Sequence, residues 1–174
     1  MIFVTVGTHE QAFNRLIEYI DNLKEKEVIK EEVIIQTGYS TYKPRHCKWQ
    51  KLFPYQEMIK LVNEARIVIT HGGPSSFIMP LQIGKVPIVV PRKFEFSEHV
   101  NNHQVTFSKA VAERMGTIIV VEELEKLENI ILNYDEFVRK MGKKLNSNNE
   151  KFNNSLCEMC IRDRWTTRLR QKKI

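Results

Sequence analysis

The chain has 174 residues, of which 42% are hydrophobic and 28% are charged. This length suits one domain with a substantial core, and the composition is that of a globular protein rather than a disordered one. No run of about 18 apolar residues is present, so the sequence predicts no membrane-spanning helix. The first residues lack the basic segment of an export signal, and an odd number of cysteines argues against a disulfide scaffold. We therefore expect the protein to work in a reducing compartment.

The net charge of +6 is concentrated near one end of the sequence. Residues 156–174 contain six Lys or Arg and two acidic side chains, so this segment supplies four of the six net positive charges. The other residues together are close to neutral. A basic surface that attracts nucleic acid is therefore not expected on the folded part, and we predict no nucleic-acid partner.

Short apolar runs rich in β-branched residues alternate with segments of helical period along the chain. This alternation predicts right-handed βαβ units and one doubly wound, Rossmann-like parallel sheet, an α/β fold whose ligands lie at the carboxyl ends of the strands. The predicted strands are 2–6, 33–37, 50–53, 67–70, 86–90 and 117–121, with 50–53 the weakest. Predicted helices lie around 8–23 and 58–62, within 97–115, and over 122–133 and 135–149.

The first loop with chemical interest follows the first predicted strand. Gly7 allows a tight turn, and Thr8 with Gln11 three residues later has the pattern of a capping box at the start of a helix. Free amides at a helix N-terminus can bind phosphate, although a merely capped helix has the same pattern. Neither a Gly-x-Gly-x-x-Gly fingerprint nor a Gly-Lys-Ser/Thr phosphate loop is present in the sequence.

A second loop follows the strand predicted at 67–70. Its residues combine small, hydroxyl and imidazole side chains at the start of a predicted helix: His71, Gly72, Gly73, Pro74, Ser75 and Ser76. Pro74 suits the first helical position, and the glycines remove side chains where a ligand could approach. This pattern favours a second anion site over a plain strand-to-helix turn, and Pro80 is expected to kink or shorten the helix.

A third, polar loop follows the strand predicted at 86–90. It contains Glu98, His99, Asn102, His103 and Gln104, whose side chains can both donate to and accept from sugar hydroxyls. His99 and His103 are spaced for zinc, but the His-Glu-x-x-His motif and a third ligand are lacking, so we predict no metal site. A helix cap is the simpler alternative for one or two of these residues.

These three loops together resemble the C-terminal, nucleotide-sugar-binding lobe of the inverting glycosyltransferases of family 28, which have the two-lobed glycosyltransferase B fold. The opening Met-Ile-Phe-Val-Thr-Val-Gly-Thr-His-Glu is similar to that of small bacterial capsule and exopolysaccharide glycosyltransferase subunits. These subunits are in turn similar to the catalytic subunit of the eukaryotic two-part enzyme that adds the second N-acetylglucosamine to dolichol-linked oligosaccharide. The resemblance covers residues 1–155, which we predict to be one nucleotide-sugar-binding domain.

The resemblance implies a role for each loop. Substrate-binding residues implied by it are Gly7, Thr8, Phe53, His71, Gly72, Gly73, Pro74, Ser75, Ser76, His99, Asn102, His103 and Gln104. The first two loops would bind the donor diphosphate, the segment at Phe53 the uracil, and the third loop the hexose. His9 and Glu98 are the implied candidates for the catalytic base. Where many relatives have a glutamate for the ribose hydroxyls, this chain has Met79, which puts that contact in doubt.

The resemblance also implies an activity and partners. A hexose, galactose in the favoured interpretation, would pass from a UDP-sugar to a polyprenyl-diphosphate-linked saccharide without a metal or other cofactor. Because the length accommodates one lobe, a membrane-anchored partner subunit would supply the other at the cytoplasmic face of the cell membrane. A non-catalytic nucleotide-sugar-binding or enhancer subunit is the main alternative. A nucleotide-sugar epimerase is disfavoured because it normally needs both lobes in one chain.

Residues 156–174 form a basic tail with three possible explanations. It is a solvated extension, a surface for anionic lipid, or an extraneous sequence scar, and the abrupt end of apolar periodicity favours the scar. Cys157 and Cys160 have the spacing of a redox or metal pair, but no second pair accompanies them.

Overall fold

The computed structural model describes residues 1–145, with side chains as far as residue 141. Its strands are β1 (Ile2–Thr5), β2 (Val33–Gln36), β3 (Lys48–Gln50), β4 (Ile67–His71), β5 (Ile88–Val90) and β6 (Ile119–Val120). Its α-helices are α1 (Asn14–Glu25), α2 (Tyr55–Glu64), α3 (Pro74–Gln82), α4 (His103–Met115), α5 (Glu125–Leu132) and α6 (Tyr134–Leu145). The predicted domain boundary at 155 and the tail 156–174 lie outside the described residues.

The six strands form one parallel sheet in the order β3-β2-β1-β4-β5-β6, which confirms the doubly wound, Rossmann-like prediction. Register aligns one row of side chains across the whole sheet: Trp49, Ile35, Val4, Ile69, Ile88 and Ile119. The strand order reverses between β1 and β4. In sheets of this kind that reversal opens a crevice at the carboxyl ends of the two strands, and ligands bind there.

Helices cover both faces of the sheet because successive strand residues point to opposite sides. In β1, Ile2 and Val4 pack with the apolar sides of α1 and α5, whereas Phe3 between them packs with α2. Phe77 of α3 packs on the second face together with residues of β5 and α4. Every strand residue of β1, β4 and β5 is buried, as expected for strands covered on both sides.

The predicted capping box at Thr8 and Gln11 is wrong. Helix α1 begins at Asn14, and no side chain caps it. Residues 7–13, here called the Gly7 loop, are held in an irregular path by other parts of the chain. The Phe13 amide donates to Ser40 Oγ at 2.9 Å, and the carbonyl of Gln11 accepts from the Arg92 side chain at 2.7 Å. Tertiary hydrogen bonds have thus replaced the predicted local ones.

The weakest predicted strand is displaced along the chain. Strand β3 spans Lys48–Gln50 instead of 50–53, and all three of its residues are exposed at the edge of the sheet. Its position is set by pairing with β2 rather than by apolar pattern, and Phe53 follows the strand and packs edge-on against Phe3. The other strands and helices are confirmed with shifted ends; for example, the helix expected within 97–115 begins at His103.

Candidate functional site

All three loops singled out in the sequence contribute to one cleft at the reversal between β1 and β4. The cleft has a volume of about 690 Å³, and its lining residues are Thr8, His9, Glu10, Gln11, His71, Val100 and Gln104. The Gly7 loop supplies the first four, and β4 ends at His71. Val100 lies in the segment that leads into α4, and Gln104 lies in the first turn of that helix. Sheet topology therefore brings together residues that are far apart in the sequence.

His71 occupies the centre of the site, and two glycines make room for its imidazole. A Cβ on Gly7 would lie 2.0 Å from His71 Nε2, and one on Gly73 would lie 2.4 Å from His71 Cε1. A Cβ on Gly72 would lie 2.8 Å from the Cβ of Gln104. The interpretation that Gly72 and Gly73 clear space for a ligand is therefore corrected: they clear space for the protein's own side chains.

His71 is a neutral hydrogen-bonding group in this site. Its Nδ1 accepts the Gly73 amide at 3.0 Å and lies 3.1 Å from Ser76 Oγ, an arrangement that leaves the ring proton on Nε2. Burial lowers the pKa of His71 to about 3, with further lowering by the positive charge of Arg92. Because the ring stays uncharged at neutral pH, it contributes an N–H donor and no positive charge to the cleft.

The first turn of α3 has less free hydrogen-bonding capacity than the sequence indicated. Pro74 occupies the first turn as predicted but has no N–H, and the Gly73 amide is used by His71. Ser76 donates inward, with its Oγ 2.9 Å from the His71 carbonyl oxygen, and its amide donates to Gly73. Within the described residues, the Ser75 amide is the first-turn donor left without a partner. It carries the positive end of the helix dipole.

His9 and His99 face each other at the mouth of the cleft, with ring centroids 4.9 Å apart. His9 Nδ1 accepts the amide of Gln11 at 3.2 Å. The pKa of His9 is lowered by burial first, and then by the positive charges of Arg92 and His99. Gln104 is buried, and its Oε1 accepts the Arg92 amide at 3.2 Å. The cleft thus combines imidazole and amide groups in one space.

Glu98 is oriented away from this cleft into an ion pair. Its Oε1 and Oε2 accept from Arg15 Nε and Nη2 at 2.8 and 2.9 Å, and Oε2 also accepts the Lys93 amide at 3.0 Å. The carboxylate is almost fully buried. A carboxylate with both oxygens occupied in this way is suited to fixing a loop rather than to accepting a proton.

Three other predicted site residues, Asn102, His103 and Phe53, lie outside the lining of the cleft. Asn102 and His103 are exposed, and Asn102 Oδ1 accepts the Phe94 amide at 2.8 Å. Phe53 is half-buried, and its amide donates to Gln36 Oε1 at 3.1 Å. Met79, at the position where the resemblance implies a ribose-binding glutamate, packs against the core on the α2 face of the sheet.

The sequence analysis missed Arg92, whose side chain is fully buried. Its Nη2 donates to the Val6 carbonyl at 2.8 Å, and its Nη1 donates to the carbonyls of Gln11 at 2.7 Å and Glu98 at 3.1 Å. No periodicity could have identified it, because a single arginine after a buried strand has the pattern of an exposed loop residue. The only signal was its position at the carboxyl end of a strand, where ligand sites form.

The described residues contain neither a metal-binding cluster nor a membrane-spanning helix. Among residues 1–141, no group of three or more His, Cys, Asp or Glu side chains is placed to hold a metal ion. None of the helices within 1–145 has the length and apolar character that crossing a bilayer requires. Metal independence stays a prediction.

Replacing Gly7 by alanine is expected to destabilise the fold far more than the same change at Gly84. Both glycines have φ of +76°, so both variants incur the left-handed backbone cost of about 1–2 kcal/mol. Only Gly7→Ala adds a clash with His71, which costs about 1–3 kcal/mol more. At Gly84 an added Cβ has no atom within 4 Å. Urea unfolding measures the difference; equal losses would contradict the packing described.

Acid is expected to destabilise the fold through His71. The imidazole takes up a proton near pH 6.5 when unfolded but only near pH 3 when folded, so stability is lost as pH falls below 6.5. The slope is about 1.4 kcal/mol per pH unit in that window. We expect His71→Asn to abolish this dependence of stability on pH. The substitution His46→Asn, at an exposed position, should retain it. Urea unfolding at pH 7, 6 and 5 tests this, and parallel slopes for both variants would refute it.

Comparisons with known proteins agree with the fold. Solved glycosyltransferases have similar structures, including SnogD from Streptomyces nogalater (TM-score 0.57, 15% identity, 92% of this chain and 42% of that chain). The glycosyltransferase of kitacinnamycin (0.58, 13%, 90% and 42%) and CalG4, the calicheamicin glycosyltransferase (0.53, 14%, 92% and 43%), are also similar. The chain therefore spans about two fifths of the length of these enzymes.

A comparison with curated proteins finds no match. The family model, in contrast, matches residues 1–158 and so covers all the described residues. On this evidence the chain belongs to the glycosyltransferase family 28 C-terminal domain family, whose members include lobes of the glycosyltransferase B fold.

Proposed function

We propose that this chain is the catalytic, donor-binding subunit of a heteromeric inverting glycosyltransferase. It transfers a hexose, galactose by family resemblance, from a UDP-sugar to a polyprenyl-diphosphate-linked saccharide in capsule or exopolysaccharide synthesis. The observation that carries the proposal is the convergence of three loops on one cleft at the reversal of strand order. That is where doubly wound folds bind nucleotides.

The diphosphate lies against the first turn of α3 and the Gly7 loop. Ser75 offers a free amide at the positive end of the helix dipole, and His71 offers its Nε2–H. Departure of UDP from the anomeric carbon leaves negative charge on the diphosphate, and such fixed donors stabilise it without reorganising. The contribution of a helix N-terminus reaches about 2 kcal/mol where partly buried, so no metal is required.

His9 is the base that receives the proton of the acceptor hydroxyl. Its lowered pKa keeps the ring neutral at pH 7, and it borders the cleft, whereas Glu98 is held by Arg15. To take the proton, Nδ1 exchanges the Gln11 amide for the acceptor hydroxyl. The hydroxyl attacks the anomeric carbon from the face opposite UDP, which inverts the configuration.

A second polypeptide supplies the acceptor side. The chain covers 42% of the length of SnogD, which leaves the other lobe of a two-lobed enzyme unaccounted for. In our proposal a membrane-anchored partner contributes that lobe, recruits the lipid-linked saccharide and brings this chain to the cytoplasmic face of the membrane. The chain alone then binds UDP-sugar but transfers poorly.

A non-catalytic, nucleotide-sugar-binding or enhancer subunit is the second candidate. The observation that favours it is Met79, which packs in the core at the position where relatives bind ribose. The two functions differ in whether the donor that reacts is the one bound by this chain.

Gln104→Glu is expected to weaken binding of UDP and UDP-galactose about tenfold or more, because it adds a negative charge beside the diphosphate. The glutamate keeps the side-chain oxygen that accepts the Arg92 amide. Asn129→Asp makes the same charge change on the exposed surface of α5 and should leave affinity unchanged. Titration calorimetry with EDTA or with Mg²⁺ should give the same constants. Undiminished binding by the Gln104 variant would remove the cleft as the donor site.

His9→Asn is expected to slow transfer about 10²- to 10⁴-fold without weakening UDP binding. Asparagine can still accept the Gln11 amide but cannot take up a proton. The assay uses the complex with its partner, radiolabelled UDP-galactose and membranes containing polyprenyl-diphosphate-linked glucose, with His46→Asn as the control. A normal rate would exclude His9 as base, and a normal rate for Gln104→Glu would favour the enhancer function.

A further inference from the structure

We propose that Arg92 is a positioning residue, a buried cation that fixes the loop carrying His9 against the loop carrying His99 and so sets the state of His9 at the mouth of the cleft. This inference extends the proposed function, in which His9 is the base. The experiment that tests it measures the pKa of His9 directly and requires neither donor nor acceptor.

The hydrogen bonds of Arg92 join two loops that are distant in sequence. Its guanidinium donates to carbonyls on both sides of His9: Val6 at 2.8 Å and Gln11 at 2.7 Å. It also donates to the carbonyl of Glu98 at 3.1 Å, the residue next to His99. One planar group therefore sets the distance between the two chain segments whose rings lie 4.9 Å apart.

The guanidinium has no exposed surface and no carboxylate within ion-pair distance among the described residues. The nearest acid, Glu98, directs its carboxylate at Arg15. Burial lowers the pKa of Arg92 to about 10, which still leaves it charged at neutral pH. Carbonyl oxygens accept from Nη1 and Nη2, whereas Nε has no hydrogen-bond partner among the described residues. These carbonyl dipoles do not cancel the positive charge, so its field acts on the neighbouring cleft.

The charged and titratable groups around His9 come from each packed element. Arg92 and His99 lower the pKa of His9 and Glu10 raises it, while His71 lies across the cleft. Glu98 and Arg15 form a pair beneath the same loops. Burial is the largest cause of the lowering, and Arg92 is the largest among the charges. Removing this charge is therefore expected to move the titration of His9 upward.

The experiment separates charge from hydrogen bonding with two variants of the full chain. Arg92→Lys keeps the cation but cannot reach all the carbonyls, whereas Arg92→Met keeps much of the apolar length and removes the charge. The pKa of His9 is measured by NMR titration of its ring proton, assigned with His9→Asn, and stability is measured by urea unfolding. Lys109→Met, an exposed cation on α4, is the matched control.

Arg92→Met is expected to raise the pKa of His9 toward 6.5, and Arg92→Lys to leave it low, although both variants lose stability. The Lys109 variant should change neither. Loss of stability with an unchanged His9 titration in Arg92→Met would reduce Arg92 to a structural residue and overturn the inference. If Arg92→Met does not fold, the wild-type protein decides: absence of ring-proton contacts between His9 and His99 would equally overturn it.

Discussion

The buried guanidinium of Arg92 is the interaction on which the geometry of the cleft depends. Taking a cation out of water is costly, and the cost is recovered only where its protons find well-placed acceptors. Here the acceptors are the carbonyls of Val6, Gln11 and Glu98, which belong to no helix or strand. Irregular backbone and buried cation therefore stabilise each other, and neither would persist in this place alone.

The parallel sheet places these loops close enough for Arg92 to contact them. Because β1, β4 and β5 are adjacent, their carboxyl ends bring the Gly7 loop, His71 and Arg92 within contact. Close approach then depends on small residues, since a side chain at Gly7 would occupy the position of the His71 ring. The glycines of the site thus adapt the backbone to neighbouring side chains, and the space for a ligand is what those side chains leave open.

The sequence was sufficient for the fold and for the location of the site, and insufficient for its internal contacts. Apolar runs such as Ile67–Ile69 predict buried strands because their burial is a local property. The start of α1 could not be predicted, because the carbonyls of the Gly7 loop are taken by Arg92, a contact between residues about 80 positions apart. Glu98 likewise has the pattern of an exposed acid, and only the structure pairs it with Arg15.

The protonation states of the cleft follow from the same arrangement. His9 and His71 both lie near the buried cation of Arg92, and burial together with that charge lowers the pKa of each imidazole. Arginine keeps its proton most strongly, so the histidines remain neutral and act as hydrogen-bonding groups. In the proposed function, a diphosphate in the cleft meets N–H donors, a helix dipole and one fixed positive charge behind them. This positive potential does not depend on protonation of His9 or His71, so donor binding in the cleft, as we propose it, does not require either histidine to be charged.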